Sequence, residues 1–319
     1  MKKFAEKNSE LIKILGYIGI GIAYIGMFFI CYSLIAEMIK AFTKPVASQG
    51  VALVLPGVNI PGVGVLPFWY WIISIFIIAT IHEGAHGIVA LANGLKIKST
   101  GIVLFGPILG AFVEPDEKKL RKSSDVKQYS VYSAGPVSNI ITALVFILVL
   151  IFVFTPIQSQ YLYDAGITYE KTIPGTPAEL AGMQPKETIT MIGNHSIKTF
   201  NDLAKANVLL KPGEEIELKT FNNTYVLTLA ENPEDTSKPY IGVSNLQEKK
   251  NLKEDLTLKQ RKNYGVISWF SELFKWLYLL SLGIGLFNLL PLGPLDGGQM
   301  IRLSISRIIK SKKKAMKTC

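Results

Sequence analysis

The fold is decided by the stretch from residue 67 to residue 91, which reads PFWYWIISIFIIATIHEGAHGIVAL. It is long enough to cross a bilayer as a helix, which takes roughly 20 residues. Three ionisable side chains lie near its end, namely His82, Glu83 and His86. Such side chains are expensive in a membrane segment and usually mark a functional site. The stretch therefore predicts a membrane helix that carries a polar site.

Three further runs of similar length lie on either side of this helix, at residues 14–36, at 128–156 and from 264 to beyond 295. Charged residues make up only 18% of the 319 residues, below the roughly 25% of soluble proteins. The mean hydropathy is +0.31. These values exclude a disordered chain and a water-soluble enzyme. They predict a polytopic α-helical membrane protein with about four transmembrane helices and a short helix at about 298–309.

The basic residues predict the orientation of this membrane protein. The net charge is +10, and the basic residues cluster at the N-terminus, in the 94–127 loop and in the C-terminal tail. The loop between the first two segments has only Lys40 and Lys44. The positive-inside rule places both termini in the cytoplasm of a multi-pass cell-membrane protein. Because the clusters lie beside apolar runs, the expected partner is membrane lipid and not nucleic acid.

The same orientation predicts where water reaches the polar site. Pro67 and His82 are 15 residues apart, or about 22 Å of helix. A helix that starts at the outer face would therefore carry the site closer to the cytoplasm. Water access is accordingly predicted from the cytoplasmic side.

Residues 157–262 have a different pattern from the rest. Short alternating runs such as ETITMIG and EEIELKTF are separated by turn signals. Helices are expected at 177–182 and 201–210, and the charged stretch 247–262 is expected to be a linker. The predicted organisation is a membrane part at 1–156, an extracytoplasmic α+β insert with its linker at 157–262, and a second membrane part at 263–319.

His82 and His86 are spaced to bind one metal ion. Positions i and i+4 lie on one face of a helix, so both imidazoles can reach one zinc, and Glu83 beside them can take a proton from water. HExxH also occurs by chance, and the alternative is a hydrogen-bonded polar patch between helices. The position on a membrane helix favours the metal site.

A catalytic zinc needs a third protein ligand. The extended motif with a third histidine is absent, and His195 lies in a turn context that predicts a surface residue. Glu114 and Asp116 are candidates, but they lie in the basic loop. Asp296 is favoured because it follows an uncharged run and sits among prolines and glycines in FNLLPLGPLDGGQ. Non-helical backbone at membrane depth is tolerated where it is buried or lines a wet cavity.

The apolar stretch 101–114, GIVLFGPILGAFVE, is too short to span a membrane as a helix. Gly101, Gly106 and Gly110 are spread along it, with Pro107 near the middle. It is interpreted as a re-entrant β-hairpin whose edge holds an unwound substrate as an added strand. The alternative is an ordinary amphipathic cytoplasmic loop.

Three motifs occur in order on predicted membrane segments: HEGAH at 82–86, AGPVSN at 134–139 and NLLPLGPLDGG at 288–298. With these motifs the chain resembles the site-2 protease family of intramembrane zinc metalloproteases. The insert contains IPGTPAELAGMQPKETITMIGNHSI followed by FNDLAKANVLLKPGEEIEL. It resembles the PDZ domain of many bacterial and archaeal members, and so points to a prokaryotic protein.

The resemblance implies one zinc per chain, hydrolysis of single-pass membrane proteins within or near the bilayer, and a PDZ domain that takes a peptide C-terminus. It implies zinc ligation by His82, His86 and Asp296, with Glu83 as the general base. It also implies a role in substrate binding or oxyanion stabilisation for a further group of residues: Asn139, Asn288, Gly101, Gly106 and Gly110.

Two features depart from the family pattern. The chain stops 23 residues after Asp296, where many members with the insert continue through another helix. In the PDZ part, Glu187 and Thr188 replace the usual glycine and aspartate of a turn, which is expected to weaken it.

Two rival functions remain. One is a non-enzymatic PDZ scaffold with a degenerate metal site, which the intact HEGAH motif and Asp296 disfavour. The other is a zinc transporter, which usually carries several ligands along a path and often internal repeats. One cluster and no repeat are found in the sequence.

Overall fold

Four long apolar helices dominate the computed structural model of the chain, which describes residues 1–43, 54, 56–60, 63–106 and 108–318. Within these residues, four helices are long and apolar enough to cross a membrane: Ser9–Thr43, Phe68–Ala92, Asp125–Ser159 and Leu258–Asn288. They agree with the four segments that the sequence predicts.

The elements follow one another in this order. The first half has α1 (Lys2–Lys7), α2 (Ser9–Thr43), β1 (Asn59–Ile60), β2 (Gly64–Val65), α3 (Phe68–Ala92), β3 (Ile97–Phe105), β4 (Ile108–Pro115), α4 (Glu117–Lys122), α5 (Asp125–Val149), a π-helical turn (Leu150–Phe154) and α6 (Thr155–Ser159). The second half has β5 (Leu162–Thr168), β6 (Lys171–Thr172), α7 (Pro177–Leu180), β7 (Thr188–Ile192), β8 (His195–Ser196), α8 (Phe200–Leu209), β9 (Glu215–Thr220), β10 (Thr224–Thr228), β11 (Ala230–Asn232), β12 (Asp235–Tyr240), β13 (Val243–Ser244), β14 (Gln247–Leu252), α9 (Leu258–Asn288) and α10 (Asp296–Thr318).

The chain divides into two compact units, residues 1–154 with 269–319, and residues 155–268. In the first unit, α5 packs against α2, α3 and α10. Small residues allow the close approach: a Cβ at Gly16 of α2 would collide with the Ser130 hydroxyl of α5. Close helix packing through small residues is typical of membrane helices. Helix α5 is thus held on several sides, next to α3.

The break between α9 and α10 brings Asp296 to the start of a helix. The prediction that the fourth segment continues beyond 295 is wrong, because α9 ends at Asn288. The helix expected at about 298–309 is found as part of the longer α10, which runs from Asp296 to Thr318. The turn is tight because a Cβ at Gly297 or Gly298 would collide with the carbonyl groups of Leu289 or Leu292. The two glycines therefore let the loop fold back against α10.

Strands β3 and β4 form the antiparallel hairpin that the sequence predicts, with Thr100 opposite Val113. Gly106 adopts a positive φ of 60° at the turn, which favours glycine. Gly101 lies under the Phe112 ring, where a Cβ would come within 2.7 Å of Cε1. Pro107 lies outside the described residues. The re-entrant position of the hairpin in a membrane stays a prediction.

The second unit is the α+β insert. Its main sheet has the order β10-β9-β7-β5-β14, with β8 paired to β7, and all these pairs are antiparallel. The helices expected at 177–182 and 201–210 are found as α7 and α8. Residues 247–262 are not simply a linker, because Gln247–Leu252 form β14 against β5. Its exposed charged side chains are typical of an edge strand, which must discourage pairing with other chains.

From the sequence, Glu187 is expected only to weaken a turn, but its side chain makes specific contacts. Its side chain is buried and accepts hydrogen bonds from Asn223 Nδ2 and from the Tyr225 hydroxyl, the latter at 2.9 Å. Burial and the nearby Glu187 charge raise the pKa of Tyr169 well above its ordinary value. The carboxylate thus ties β7 to the turn between β9 and β10.

Candidate metal centre

Helix α3 places His82, Glu83 and His86 within little more than one turn. The Nε2 atoms of the two histidines lie 3.3 Å apart, and the His82 side chain is buried. The two rings are nearly perpendicular, with centroids 4.9 Å apart. Both imidazoles therefore turn the same nitrogen towards one point, as their i, i+4 spacing predicts.

Asp296 completes a triangle of donor atoms with these histidines. Its Oδ2 lies 3.2 Å from His82 Nε2 and 3.5 Å from His86 Nε2. Tetrahedral zinc with bonds of about 2.0–2.1 Å keeps neighbouring donors about 3.3–3.4 Å apart. Within the described part of the chain, this is the one group of three His, Cys, Asp or Glu side chains whose ligand atoms all lie within 4.8 Å. The donor set thus fits a catalytic zinc with one open position.

Outer partners orient both imidazoles. The Nδ1 of His86 lies 2.7 Å from the Val131 carbonyl oxygen, to which its N–H can donate, leaving Nε2 free to bind a metal. The Nδ1 of His82 lies 3.1 Å from the side-chain amide of Asn139. The Asn139 Oδ1 is buried and has no hydrogen-bond partner in the described structure. A half-turn of the amide puts this oxygen in place to accept the His82 N–H.

Gly135 leaves space in front of the histidines. It lies on α5, and a Cβ there would lie 2.5 Å from His82 Nε2 and collide with His86 Nε2. Any larger residue would occupy the space beside both donor atoms. The glycine of AGPVSN therefore has a steric role at the candidate metal centre.

Glu83 faces the hairpin and a cavity. Its Oε2 accepts a hydrogen bond of 3.2 Å from the Val113 backbone N–H on β4. A cavity of about 240 Å³ is lined by Glu83 together with His86 and Asp296. A proton acceptor, metal donors and space for a reactant thus lie together.

The other candidate ligands have different partners. Glu114 accepts a hydrogen bond from Ser99 and pairs with Lys98 across the hairpin. Asp116 is the N-cap of α4 and accepts from the Lys119 backbone N–H at 3.2 Å. His195 lies on β8 of the insert. None of the three belongs to the group formed by His82, His86 and Asp296.

The remaining predicted residues lie outside the donor triangle. Asn288 is the last residue of α9 and is half-buried. Gly101 and Gly110 lie on β3 and β4, and Gly106 lies at the hairpin turn. Sequence reasoning missed Gly135 and Val113. A glycine next to Pro136 in an apolar helix was the available signal for the first, whereas the bond from Val113 depends on folding.

The sequence model of peptidase family M50 matches residues 70–318. The chain belongs to peptidase family M50. The resemblance to site-2 proteases is thereby confirmed, and the chain is a membrane metalloprotease whose family implies zinc.

The chain is also similar to the following proteins. The chain is 30% identical to an uncharacterized protein of Methanocaldococcus jannaschii over 285 residues, which cover 89% of this chain and 69% of that protein. It is 25% identical to the zinc metalloprotease RasP of Oceanobacillus iheyensis, with 61% of this chain and 55% of that protein covered. The PDZ domain of an SdrC-like protein from Listeria monocytogenes is 19% identical, covers 26% of this chain and 87% of that domain, and has a TM-score of 0.21.

Proposed function

We propose that this protease hydrolyses peptide bonds of single-pass membrane proteins within or near the bilayer. His82, His86 and Asp296 would hold one zinc per chain, with Glu83 as the general base. The observation that carries the proposal is the convergence of three donor atoms, 3.2 to 3.5 Å apart, next to a glutamate and a cavity. The donor set is that expected of a zinc with an open position.

The chain's own residues have distinct parts in the reaction. When bound, zinc polarises the scissile carbonyl and lowers the pKa of its water to about 7. Glu83 takes a proton from the attacking water and passes it to the leaving amine. Asn139 acts from behind His82 as a positioning residue, because its amide contacts the ring nitrogen that faces away from Asp296.

The hairpin would present the substrate as an extended strand. The Val113 N–H points to Glu83, so it points away from β3. Backbone groups alternate in direction along a strand, and those of Leu109 and Ala111 therefore also face outward. A substrate strand added there would have its backbone bonds satisfied and would lead to Glu83.

The predicted membrane topology gives the locations of the termini, the water entrance and the insert. Both termini and the water entrance would be cytoplasmic, and the PDZ-like insert extracytoplasmic, as the basic loops indicate. The insert would restrict access of substrates with bulky outer domains and would take a peptide C-terminus near residues 240–243. It has one histidine, His195, and no cysteine, and the proposal places the whole catalytic centre outside it.

The test is to replace Glu83 with glutamine in the full chain. Cleavage of a single-pass reporter should fall by at least about 100-fold, the low end for losing a general base, because the amide keeps the shape but not the basicity. Zinc, measured by elemental analysis, should remain near one per chain. Glu114→Gln is the matched control and should cleave normally. Activity of Glu83→Gln above a few per cent of wild type would overturn the assignment.

A further inference from the structure

A cluster of arginines lies beside the candidate metal centre. The chain has only four arginines among its 34 basic residues. Three of them, Arg121 on α4 with Arg302 and Arg307 on α10, line one cavity of about 190 Å³. Lysine supplies almost all the other positive charge. Because arginine binds planar anions through two parallel hydrogen bonds, this arginine cluster indicates an anion site rather than general surface charge.

The arginine cluster retains free positive charge. Arg121 pairs with Glu117 at 3.2 Å, and Arg307 pairs with Asp125. Both pairs are solvent-exposed, and such pairs contribute little and exchange readily. Arg302 takes part in none of the ion pairs or hydrogen bonds recorded for the described residues. Its guanidinium is the group best placed to take a new partner.

The cavity of the arginine cluster adjoins the catalytic one. Arg121, Tyr132 and Gln299 line both cavities. Arg302 lies six residues beyond Asp296 and Arg307 eleven residues beyond it, or about 9 Å and about 16 Å along α10. An extended chain advances about 3.3 Å per residue. A substrate strand leaving the metal centre would therefore reach these guanidinium groups about three to five residues from the cleaved bond.

We propose that the arginine cluster is a substrate subsite for an acidic side chain, about three to five residues from the scissile bond. The inference rests on the proposed function and narrows its substrate class. A substrate with lysine at this position would be repelled. A peptide carboxylate is favoured over a lipid headgroup because the cluster opens beside the catalytic cavity.

The experiment uses the full chain in neutral detergent and single-pass reporters that differ at one residue. Glu, Gln or Lys is placed three, four or five residues from the mapped bond, on either side. In the wild type, kcat/KM for the Glu reporter should exceed that for the Lys reporter by about threefold or more at one position, as for exposed ion pairs. The ratio should shrink at high salt. Arg302→Gln should reduce the ratio, and Arg302→Glu should invert it, whereas Arg261→Gln, at the fourth arginine, should leave it unchanged.

The outcomes separate this inference from the proposed function. If the wild type cleaves all reporters equally, or if Arg302→Gln keeps the full ratio, the subsite is wrong while the protease stands. If no reporter is cleaved, the proposed function fails, and binding of the same reporters to Glu83→Gln protein tests the subsite by itself. If anionic lipid vesicles raise activity through Arg302 without any reporter preference, the cluster is a lipid site and the proposal is overturned.

Discussion

At the scale of single residues, the proposed metal centre depends on the absence of one side chain. Gly135 leaves room beside the Nε2 atoms of His82 and His86. We expect Gly135→Ala to lose zinc, because the methyl group would occupy the space in which the two histidines would bind it. Elemental analysis of the purified membrane protein measures this. Gly84→Ala is the control, since a Cβ at Gly84 of α3 meets nothing within 4 Å, and it should keep its zinc. Full zinc loading of Gly135→Ala would contradict the steric argument.

Asp296 supplies the only anionic donor of the triangle. We expect Asp296→Asn to lower zinc affinity by more than the roughly 10–100-fold cost of losing an outer partner, and activity should fall with it. Zinc titration against a chelator measures the affinity. Asp116→Asn is the comparison, because it removes a carboxylate outside the donor triangle and leaves a side chain that still caps α4. If Asp296→Asn keeps both zinc and turnover, Glu114 and Asp116 become the ligands to test.

The sequence predicts the candidate donor residues from local rules. The i, i+4 spacing places His82 and His86 on one face, and the glycines and prolines around Asp296 indicate a break before it. The distances of 3.2 to 3.5 Å between Asp296 Oδ2 and the two histidine Nε2 atoms depend on how α3, α5 and α10 pack. No short-range sequence pattern carries that information. The same holds for Gly135, whose role depends on a helix far away in the sequence.

At the scale of elements, the hairpin strand β4 connects substrate binding to the base. We expect Ala111→Pro to lower kcat/KM by about fivefold, since it removes one outward N–H from the edge that would hold the substrate, a loss of about 1 kcal/mol. Proline is tolerated on such an edge. Ile102→Pro is the matched control, because Ile102 pairs with Ala111 but faces the opposite edge. Equal loss in both variants, measured with one reporter, would mean that only hairpin stability matters.

Helices and strands differ in how far the sequence predicts them. The helix expected from Pro67 to about Leu91 is found at Phe68–Ala92, since long apolar runs in a membrane protein have few alternatives. The polar stretch Gln247–Leu252, with three charged residues, forms β14, which composition alone describes as a linker. An edge strand can carry several charged side chains, which discourage pairing with other chains.

At the scale of the whole molecule, the insert separates the two parts of the chain that supply the donor atoms. We expect replacement of residues 157–262 by a flexible Gly/Ser linker to speed cleavage of reporters with long outer domains. The cleavage rate of reporters with short outer domains should change little. The physical reason is steric, since a folded domain hinders bulky substrates. Cleavage rates of the two reporter classes measure it. Equal loss of cleavage for both reporter classes, with zinc still bound, would show a structural role for the insert. It would contradict the proposal that the insert restricts access of bulky substrates.

The wide separation of the donors along the chain also bears on biosynthesis. Asp296 lies 210 positions after His86, with the whole insert in between. During translation, His82 and His86 are made long before Asp296, the third ligand of the proposed zinc. On the proposed assignment, the nascent chain lacks its third zinc ligand while the insert and α9 are being made, so we expect it to be inactive until Asp296 follows. The Asp296→Asn chain imitates this unfinished state, and its residual cleavage of a reporter measures how inactive the unfinished chain is.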